Sequence, residues 1–243
     1  MNIIIDIGNT RTKVGLFEDD KVVFVDSYRK LEYNTIFNLV NEYNIENGII
    51  CSTSNINEKI KKYLQSTLQY FIEFDSSTPL PIEVLYKSRN TLGTDRIAAV
   101  VGAKSIFPKN NNLIIDAGTA ITYEFINDKE QYVGGNISPG LEIRFKSLNY
   151  FTSKLPLVGK RDKYNLIGQS TEEAIVNGVQ NGLIFEIDSY IDYFKEHYNN
   201  LKIIITGGDS DFLANKLKNT IFVDKNLVLK GLNNILNHNI NKK

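Results

Sequence analysis

Residues 3–8 read Ile-Ile-Ile-Asp-Ile-Gly, followed by Asn9 and Thr10; residues 113–118 read Leu-Ile-Ile-Asp-Ala-Gly, followed by Thr119 and Ala120. Each is a short apolar run that ends in Asp-x-Gly, the pattern of a buried strand entering a tight turn. The first copy continues through residues 12–17 to an acidic turn at Glu18-Asp19-Asp20, the second through residues 121–126 to Asn127-Asp128-Lys129. A third strand is expected in each, at residues 21–26 and 131–134, the first rich in β-branched and aromatic residues. The same order and spacing in two places predict two related lobes, each opening as strand, loop, strand, turn, strand.

After each meander, helical and strand segments alternate. Leu31, Ile36, Leu39, Val40 and Tyr43 recur at helical spacing, residues 49–51 read as a short buried strand, 58–68 as a second amphipathic helix and 70–74 as a strand. In the second half, residues 171–198 give one or two helices, 202–206 a buried strand and 210–217 a helix. Strands mixed with helices in this way imply α/β architecture. Pro108 and the polar cluster up to Asn112 interrupt the pattern, which sets the expected lobes at 1–112 and 113–243. The Asn- and Lys-rich tail after Leu236 is expected to fray.

The 28 Lys and Arg residues balance 28 Asp and Glu, so no overall positive field draws the chain to nucleic acid or anionic membrane. Cys51 is the only cysteine and there are two histidines, which excludes an intramolecular disulfide and a Cys/His metal cage. Residues 1–5 lack the regions of a signal peptide, and no apolar run has the length to span a bilayer, so a cytoplasmic location without membrane attachment is expected.

A tight turn carrying glycine and hydroxyl side chains aims several backbone N–H groups at one point, and Thr10, Thr12 and Lys13 add donors and a positive charge. That combination suits a phosphate. Asp6 would face the phosphate, where repulsion leaves contact only through a cation such as hydrated Mg²⁺. The alternative is a β-hairpin whose Asp and Asn satisfy turn backbone, and the second matching loop weighs against it. Asp116, Gly118, Thr119 and Thr122 supply that loop, so ATP phosphates fit between the two. Residues 206–210, Thr-Gly-Gly-Asp-Ser, stand between a strand and a helix, as an adenosine site or as a plain strand-to-helix turn.

Gly93-Thr94-Asp95-Arg96 precedes an apolar run with small residues, 97–103, that suits a closely packed helix which Thr94 would cap. Asp95 either favours the positive helix end for structural reasons or accepts the proton of a substrate hydroxyl, with Arg96 holding a carbonyl, carboxylate or phosphate. Phosphoryl transfer demands mostly alignment and charge neutralisation, so an aspartate with a pKa near about 4 serves as base. Residues 134–140, Gly-Gly-Asn-Ile-Ser-Pro-Gly, read as a loop that shapes a substrate pocket or only punctuates. His197 and His238 read as solvated, and Cys51 as a small core hydrophobe.

Taken in order, DIGNTRTKVGLF (6–17), GTDRIAA (93–99), IIDAGTAIT (114–122), GGNISPG (134–140), GQSTEEAI (168–175) and ITGGD (205–209) resemble the type III pantothenate kinases, within the acetate kinase, sugar kinase, Hsp70 and actin superfamily. The resemblance spans nearly the whole chain. It implies two duplicated ribonuclease H-like lobes with mixed β-sheets flanked by helices and an active-site cleft between them. It further implies phosphorylation of pantothenate by ATP with Mg²⁺ to 4′-phosphopantothenate, the first step toward coenzyme A. Asp6, Ile7, Gly8, Asn9, Thr10, Arg11, Thr12, Lys13 and Thr119 would contact ATP. Asp95 would be the proton acceptor, and Tyr86, Gly93, Thr94, Asp95, Arg96 and Thr171 would contact substrate, Thr171 near a homodimer interface. Asp116 would help to bind a monovalent cation, K⁺ or NH₄⁺. The rival readings are a kinase for another small alcohol or acid on the same fold, and a non-catalytic nucleotide-binding regulator.

Overall fold

The computed structural model describes residues 1–52 and 57–242. The chain forms two compact units: unit 1 comprises Met1–Lys109, Ile126–Gly134 and Asn226–Lys243, and unit 2 comprises Asn110–Phe125 and Gly135–Lys225. The expected division, 1–112 and 113–243, assigns residues 226–243 to the second lobe, whereas they count with the first unit.

Unit 1 is built on β1 (Asn2–Ile7), β2 (Thr12–Glu18), β3 (Lys21–Tyr28), β4 (Asn47–Ser52) and β5 (Tyr70–Glu73), ordered β3-β2-β1-β4-β5. The meander β1-β2-β3 is antiparallel, and β4 and β5 add in parallel through crossover helices α1 (Tyr33–Glu42) and α2 (Glu58–Thr67). Alternation along the strands sorts the two faces. Ile3, Ile5, Val14 and Leu16 form one core with Ile36 and Leu39 of α1 and Ile60 and Leu64 of α2. On the opposite face of β2, Gly15 lies close enough to Leu229 that a Cβ would approach its side chain to 3.2 Å.

Leu229 belongs to α7 (Leu227–Ile240), the last helix of the chain. α7 packs on α3 (Thr94–Ile106) and on β1, β2 and β4. The fraying expected after Leu236 does not occur through Ile240, where the helix ends: α7 has apolar anchors at Leu229, Leu232, Ile235 and Leu236 and polar ones at Asn233 and Asn239. Asn2 Nδ2 donates to Asn233 Oδ1 at 2.9 Å and to Asn237 Oδ1 at 2.8 Å, and Asn239 Nδ2 donates to the Pro79 carbonyl at 3.0 Å. The asparagines that suggested disorder are the bolts of the helix. His238 is half-buried rather than solvated: its Nε2 is enclosed, and burial with the charges of Lys242 and Lys104 holds its pKa below the usual histidine value.

The second sheet runs β11-β10-β7-β8-β9 through β7 (Asn111–Ala117), β8 (Ala120–Ile126), β9 (Gln131–Pro139), β10 (Leu201–Thr206) and β11 (Phe222–Val223). Strand for strand this repeats the order of unit 1, so the duplication read in the sequence is a duplication of fold. The first residues of β9 count with unit 1, where β6 (Glu83–Val84) pairs with them in parallel. Residues 134–139, expected as loop, continue β9 instead, and Gly140 caps α4 (Leu141–Phe151).

Residues 171–198 resolve into one helix, α5 (Thr171–His197). Its start is held by Ser170, whose side chain accepts from the Glu173 N–H, while Glu173 Oε2 accepts from the Gln169 N–H at 2.8 Å. That is a reciprocal cap with acids in the first turn and Lys195 and His197 in the last. Ile175, Leu183, Ile187 and Ile191 of α5 bury against Leu113, Ile115, Ile121 and Tyr123 of the sheet. The helix expected over 210–217 is shorter, α6 (Ser210–Ala214).

Candidate functional site

In unit 1, β1 delivers Asp6 to the end of the sheet. The register pairs Asp6 with Lys13 on one side and with Cys51 on the other, so these three side chains share one face at the strand ends. The turn beyond closes on itself: the Gly8 N–H donates to the Arg11 carbonyl at 3.1 Å. A Cβ on Gly8 would lie 3.2 Å from that oxygen. Asn9, Thr10 and Arg11 at the tip are exposed, while Thr12 is buried.

The same face meets the head of α3. Gly93 occupies the N-cap and provides no side-chain cap, so Thr94 opens the helix rather than capping it. Its hydroxyl instead accepts a hydrogen bond from Cys51 Sγ at 3.1 Å. Asp95 turns back over the helix start, with Oδ1 accepting from the Arg96 N–H at 2.9 Å. A Cβ on Gly93 would fall 2.5 Å from that oxygen, so only glycine leaves this carboxylate its position. Burial pushes the Cys51 thiol far above its ordinary pKa, and the negative charges of Asp6 and Asp95 add to the push. Asp6 thus lies in register beside Cys51, and Asp95 follows the threonine that Cys51 bonds. Cys51 packs as a core residue, as expected, while its link to Thr94 has no signal in the residue order.

Arg96 is 8% exposed, with its Cζ 5.7 Å from the centroid of the Tyr86 ring, within cation–π range. Tyr86, Gly93, Thr94, Asp95 and Arg96 are thus gathered within unit 1, although Tyr86 precedes the others by a stretch with no motif.

In unit 2, β7 delivers Asp116 to the end of its sheet, in register with Thr206 of β10. The turn is tighter than that of unit 1: the Gly118 N–H donates to the Ala120 carbonyl at 3.1 Å, two residues on rather than three. Gly207 has φ +93°, and a Cβ there would lie 2.5 Å from Asp116 Oδ1 and from the Ala117 carbonyl. The Asp209 N–H donates to the Ala117 carbonyl at 3.0 Å, and the Gly140 N–H donates to Thr119 O at 3.1 Å. A Cβ on Gly140 would meet the Gly118 and Thr119 carbonyls at 2.4 Å. The Asp116–Thr119 loop, the 206–210 turn and Gly140 therefore form one cluster of closely opposed backbone, and the last glycine does more than punctuate.

Two groups escaped sequence reasoning. Lys160 reaches Asp209 Oδ1 at 2.6 Å from a stretch, 152–170, with no periodicity to signal it. A hollow of about 490 Å³ beside this pair has walls of Leu141, Phe145, Leu157 and Val158. Arg144 donates to Glu186 Oε2 at 2.6 Å and to Ser138 Oγ at 2.8 Å, and Tyr123 donates to Glu186 Oε1 at 2.9 Å. Thr171 stands apart from the Asp116 cluster, exposed at the first turn of α5 in a separate groove lined by Arg144, Leu148, Leu155 and Ile175.

Among the described residues no three His, Cys, Asp or Glu side chains gather into a metal cage. The donors present suit a different mode of binding. Single hard carboxylates, Asp6 and Asp116, sit at glycine turns, which fits a cation that keeps most of its ligands as water and phosphate oxygen.

A repeated β3-β2-β1-β4-β5 sheet with a carboxylate at the end of each first strand defines the ribonuclease H-like class shared by actin, Hsp70 and sugar kinases. An activator of 2-hydroxyisocaproyl-CoA dehydratase from Clostridium difficile, solved with bound ADPNP, has this fold: TM-score 0.55 at 11% identity, covering 99% of this chain and 94% of that one. A structure from Campylobacter jejuni described as a Baf family transcriptional activator is nearer, with TM-score 0.60 at 25% identity over 98% of this chain and 99% of that one. The family model for type III pantothenate kinase matches residues 2–193. A type III pantothenate kinase from Bacteroides fragilis is 46% identical over 241 residues, 98% of each chain. The chain belongs to the type III pantothenate kinase family.

Proposed function

We propose that this chain transfers the γ-phosphoryl group of ATP to the hydroxyl of pantothenate, giving ADP and 4′-phosphopantothenate for coenzyme A synthesis. The observation that carries the proposal is the placement of two carboxylates at one strand–helix junction of unit 1: Asp6 lies in register with Cys51, and Asp95 follows the Thr94 to which Cys51 donates. Phosphoryl transfer needs a carboxylate near the phosphate-bound cation and another near the attacking hydroxyl, with little covalent work besides.

In this reading residues 6–13 and Thr119 hold the ATP phosphates through turn N–H groups, hydroxyls and the Lys13 ammonium. Asp95 accepts the hydroxyl proton as the oxygen attacks the γ-phosphorus, and ADP departs. Gly93, Thr94, Arg96, Tyr86 and Thr171 bind pantothenate, with Arg96 on its carboxylate or carbonyl. Bound Mg²⁺, held at Asp6 through water, would neutralise phosphate charge. Asp116 would hold K⁺ or NH₄⁺. The hollow beside Lys160 and Asp209 suits the adenosine end, since its walls are apolar and its rim is charged. The lobes 1–112 and 113–243 would carry the two phosphate loops, and the chain would act as a cytoplasmic homodimer without nucleic acid. Among the described residues no helix is long and apolar enough to cross a membrane.

ADP release measured with and without pantothenate, in K⁺ and in Na⁺ buffer, tests the proposal. We expect turnover that requires pantothenate, is faster in K⁺, and falls roughly 10²-fold or more in Asp95→Asn. Turnover absent under every condition would overturn the assignment, and equal rates in both buffers would remove the cation from Asp116. The likeness to the Campylobacter jejuni protein supports one second reading, a nucleotide-binding regulator. That reading requires ATP binding with no pantothenate-dependent ADP.

A further inference from the structure

We infer that Tyr132 is a positioning residue for the substrate side of the site: it fixes the Tyr86 ring, and through that ring the Arg96 guanidinium. The inference rests on the proposed role of Arg96 in binding pantothenate.

The device is built on a strand of two residues. Glu83 and Val84 of β6 pair in parallel with Gln131 and Tyr132 of β9. Such a short edge would be weak alone. It is bolted at both ends: the Glu83 N–H donates to the Glu130 carbonyl at 3.2 Å, and the Leu85 N–H donates to the Tyr132 carbonyl at 2.9 Å. Gln131 Nε2 also donates to Glu83 Oε2 at 2.7 Å. Tyr86 is therefore the first residue beyond a pinned segment, and its Cα has little freedom.

Its ring is pinned next. Tyr132 is fully buried, and the two rings lie nearly parallel, 21° apart with centroids 6.3 Å apart, in an offset stack. Two residues on, the same face of β9 carries Gly134, whose φ of +149° disfavours any other residue. A Cβ there would lie 3.7 Å from Tyr86 Cδ2. Tyr86 thus rests across Tyr132 and a position kept bare of a longer side chain.

Arg96 completes the chain, its guanidinium carbon 5.7 Å from the Tyr86 centroid. An arginine that must meet a planar carboxylate with both arms of its fork loses affinity for each rotamer left open to it. A fixed ring beneath the guanidinium removes that freedom before substrate arrives. Truncating Tyr132 should consequently loosen Arg96 without touching substrate, nucleotide or the base.

The test is steady-state kinetics on Tyr132→Leu and Tyr132→Phe, with melting temperatures measured in parallel. We expect Tyr132→Leu to raise KM for pantothenate about tenfold while kcat and KM for ATP stay within twofold of wild type. Tyr132→Phe, which keeps the ring, should restore the pantothenate KM. Should Tyr132→Leu melt well below wild type, Tyr132→Met gives the same reading with less lost volume. An unchanged pantothenate KM in a folded variant overturns the inference. So does a parallel rise in both KM values, failure of Phe to rescue, or loss of folding in both Leu and Met variants. A wild-type protein with no pantothenate turnover would sink the functional reading itself. Normal wild-type turnover with a silent Tyr132→Leu sinks only the positioning role.

Discussion

The thiol of Cys51 donates to Thr94 Oγ1 across 3.1 Å, tying the end of β4 to the first residue of α3. Burial, then the charges of Asp6 and Asp95, keep that thiol protonated well above the ordinary cysteine range. An alkylating reagent should leave the native protein unmodified up to about pH 9 and label it completely in denaturant, since the thiolate is the reactive form. Rapid labelling of native protein would contradict this. Cys51→Ser keeps a donor and should retain kcat, whereas Cys51→Val leaves Thr94 without its partner and should cost about 1 kcal/mol of stability.

The crossing of α3 and α7 is closer than any side chain permits. A Cβ on Gly231 would sit 1.8 Å from the Ala98 carbonyl oxygen, and one on Gly102 would sit 2.3 Å from that of Leu227. Gly231→Ala must push the helices apart, at a cost of about 3 kcal/mol. Calorimetry should show a melting temperature lower by roughly 5–10 °C. Gly159→Ala, where nothing lies within 4 Å of the added carbon, is the matched control and should melt as wild type.

Glu186 connects stability to pH. Its burial alone would raise its pKa, but hydrogen bonds from Arg144, Ser138 and Tyr123, with the Arg144 charge, outweigh burial and hold it below the ordinary 4.5. The folded value lies below the unfolded one, so the ionised carboxylate stabilises the fold above pH 4.5, and the gain is lost as pH falls through the folded value. Denaturation of wild type and Glu186→Gln should differ by a constant amount near neutrality. The gap should close in acid, as pH falls below 4.5 and through the lower folded value. A gap that widens in acid would reverse the sign.

Gly207→Ala is expected to act on nucleotide. The substitution brings a methyl group to 2.5 Å from Asp116 Oδ1 at a backbone angle of φ +93°. Titration calorimetry should show ATP binding weakened about tenfold or more, with the core of unit 2 still folded by circular dichroism. Unaltered ATP affinity would detach this turn from the nucleotide site.

The duplication was legible because it is written twice in local terms: an apolar run, an aspartate and a glycine in fixed order before two more strands. Asp6 and Asp116 stand out for the same reason, and Asp95 because Gly93-Thr94-Asp95-Arg96 opens an apolar helical run. The link from Cys51 to Thr94 did not, because residues 43 apart meet only through strand register and helix packing. Lys160 was hidden by its irregular stretch, and Tyr132 by looking like one more core aromatic. The tail after Leu236 reads as frayed because asparagine is disfavoured inside helices, yet Asn237 and Asn239 find partners that only the folded chain provides. The extension of β9 over 134–139 runs against its glycines and proline, which local propensity reads as loop.

The position of α7 has a consequence for synthesis. Its residues complete the helix layer over β1, β2 and β4, yet they leave the ribosome after all of unit 2. Unit 2 is contributed by residues 110–125 and 135–225, so its core can close while the nascent chain is still growing. Unit 1 must wait, with the part of its sheet and of α3 that α7 covers still exposed, until residues 227–240 emerge. The half of the molecule translated first is therefore the half that matures last, and translation arrested before residue 226 should yield a protease-resistant second unit beside a first unit that is readily cleaved.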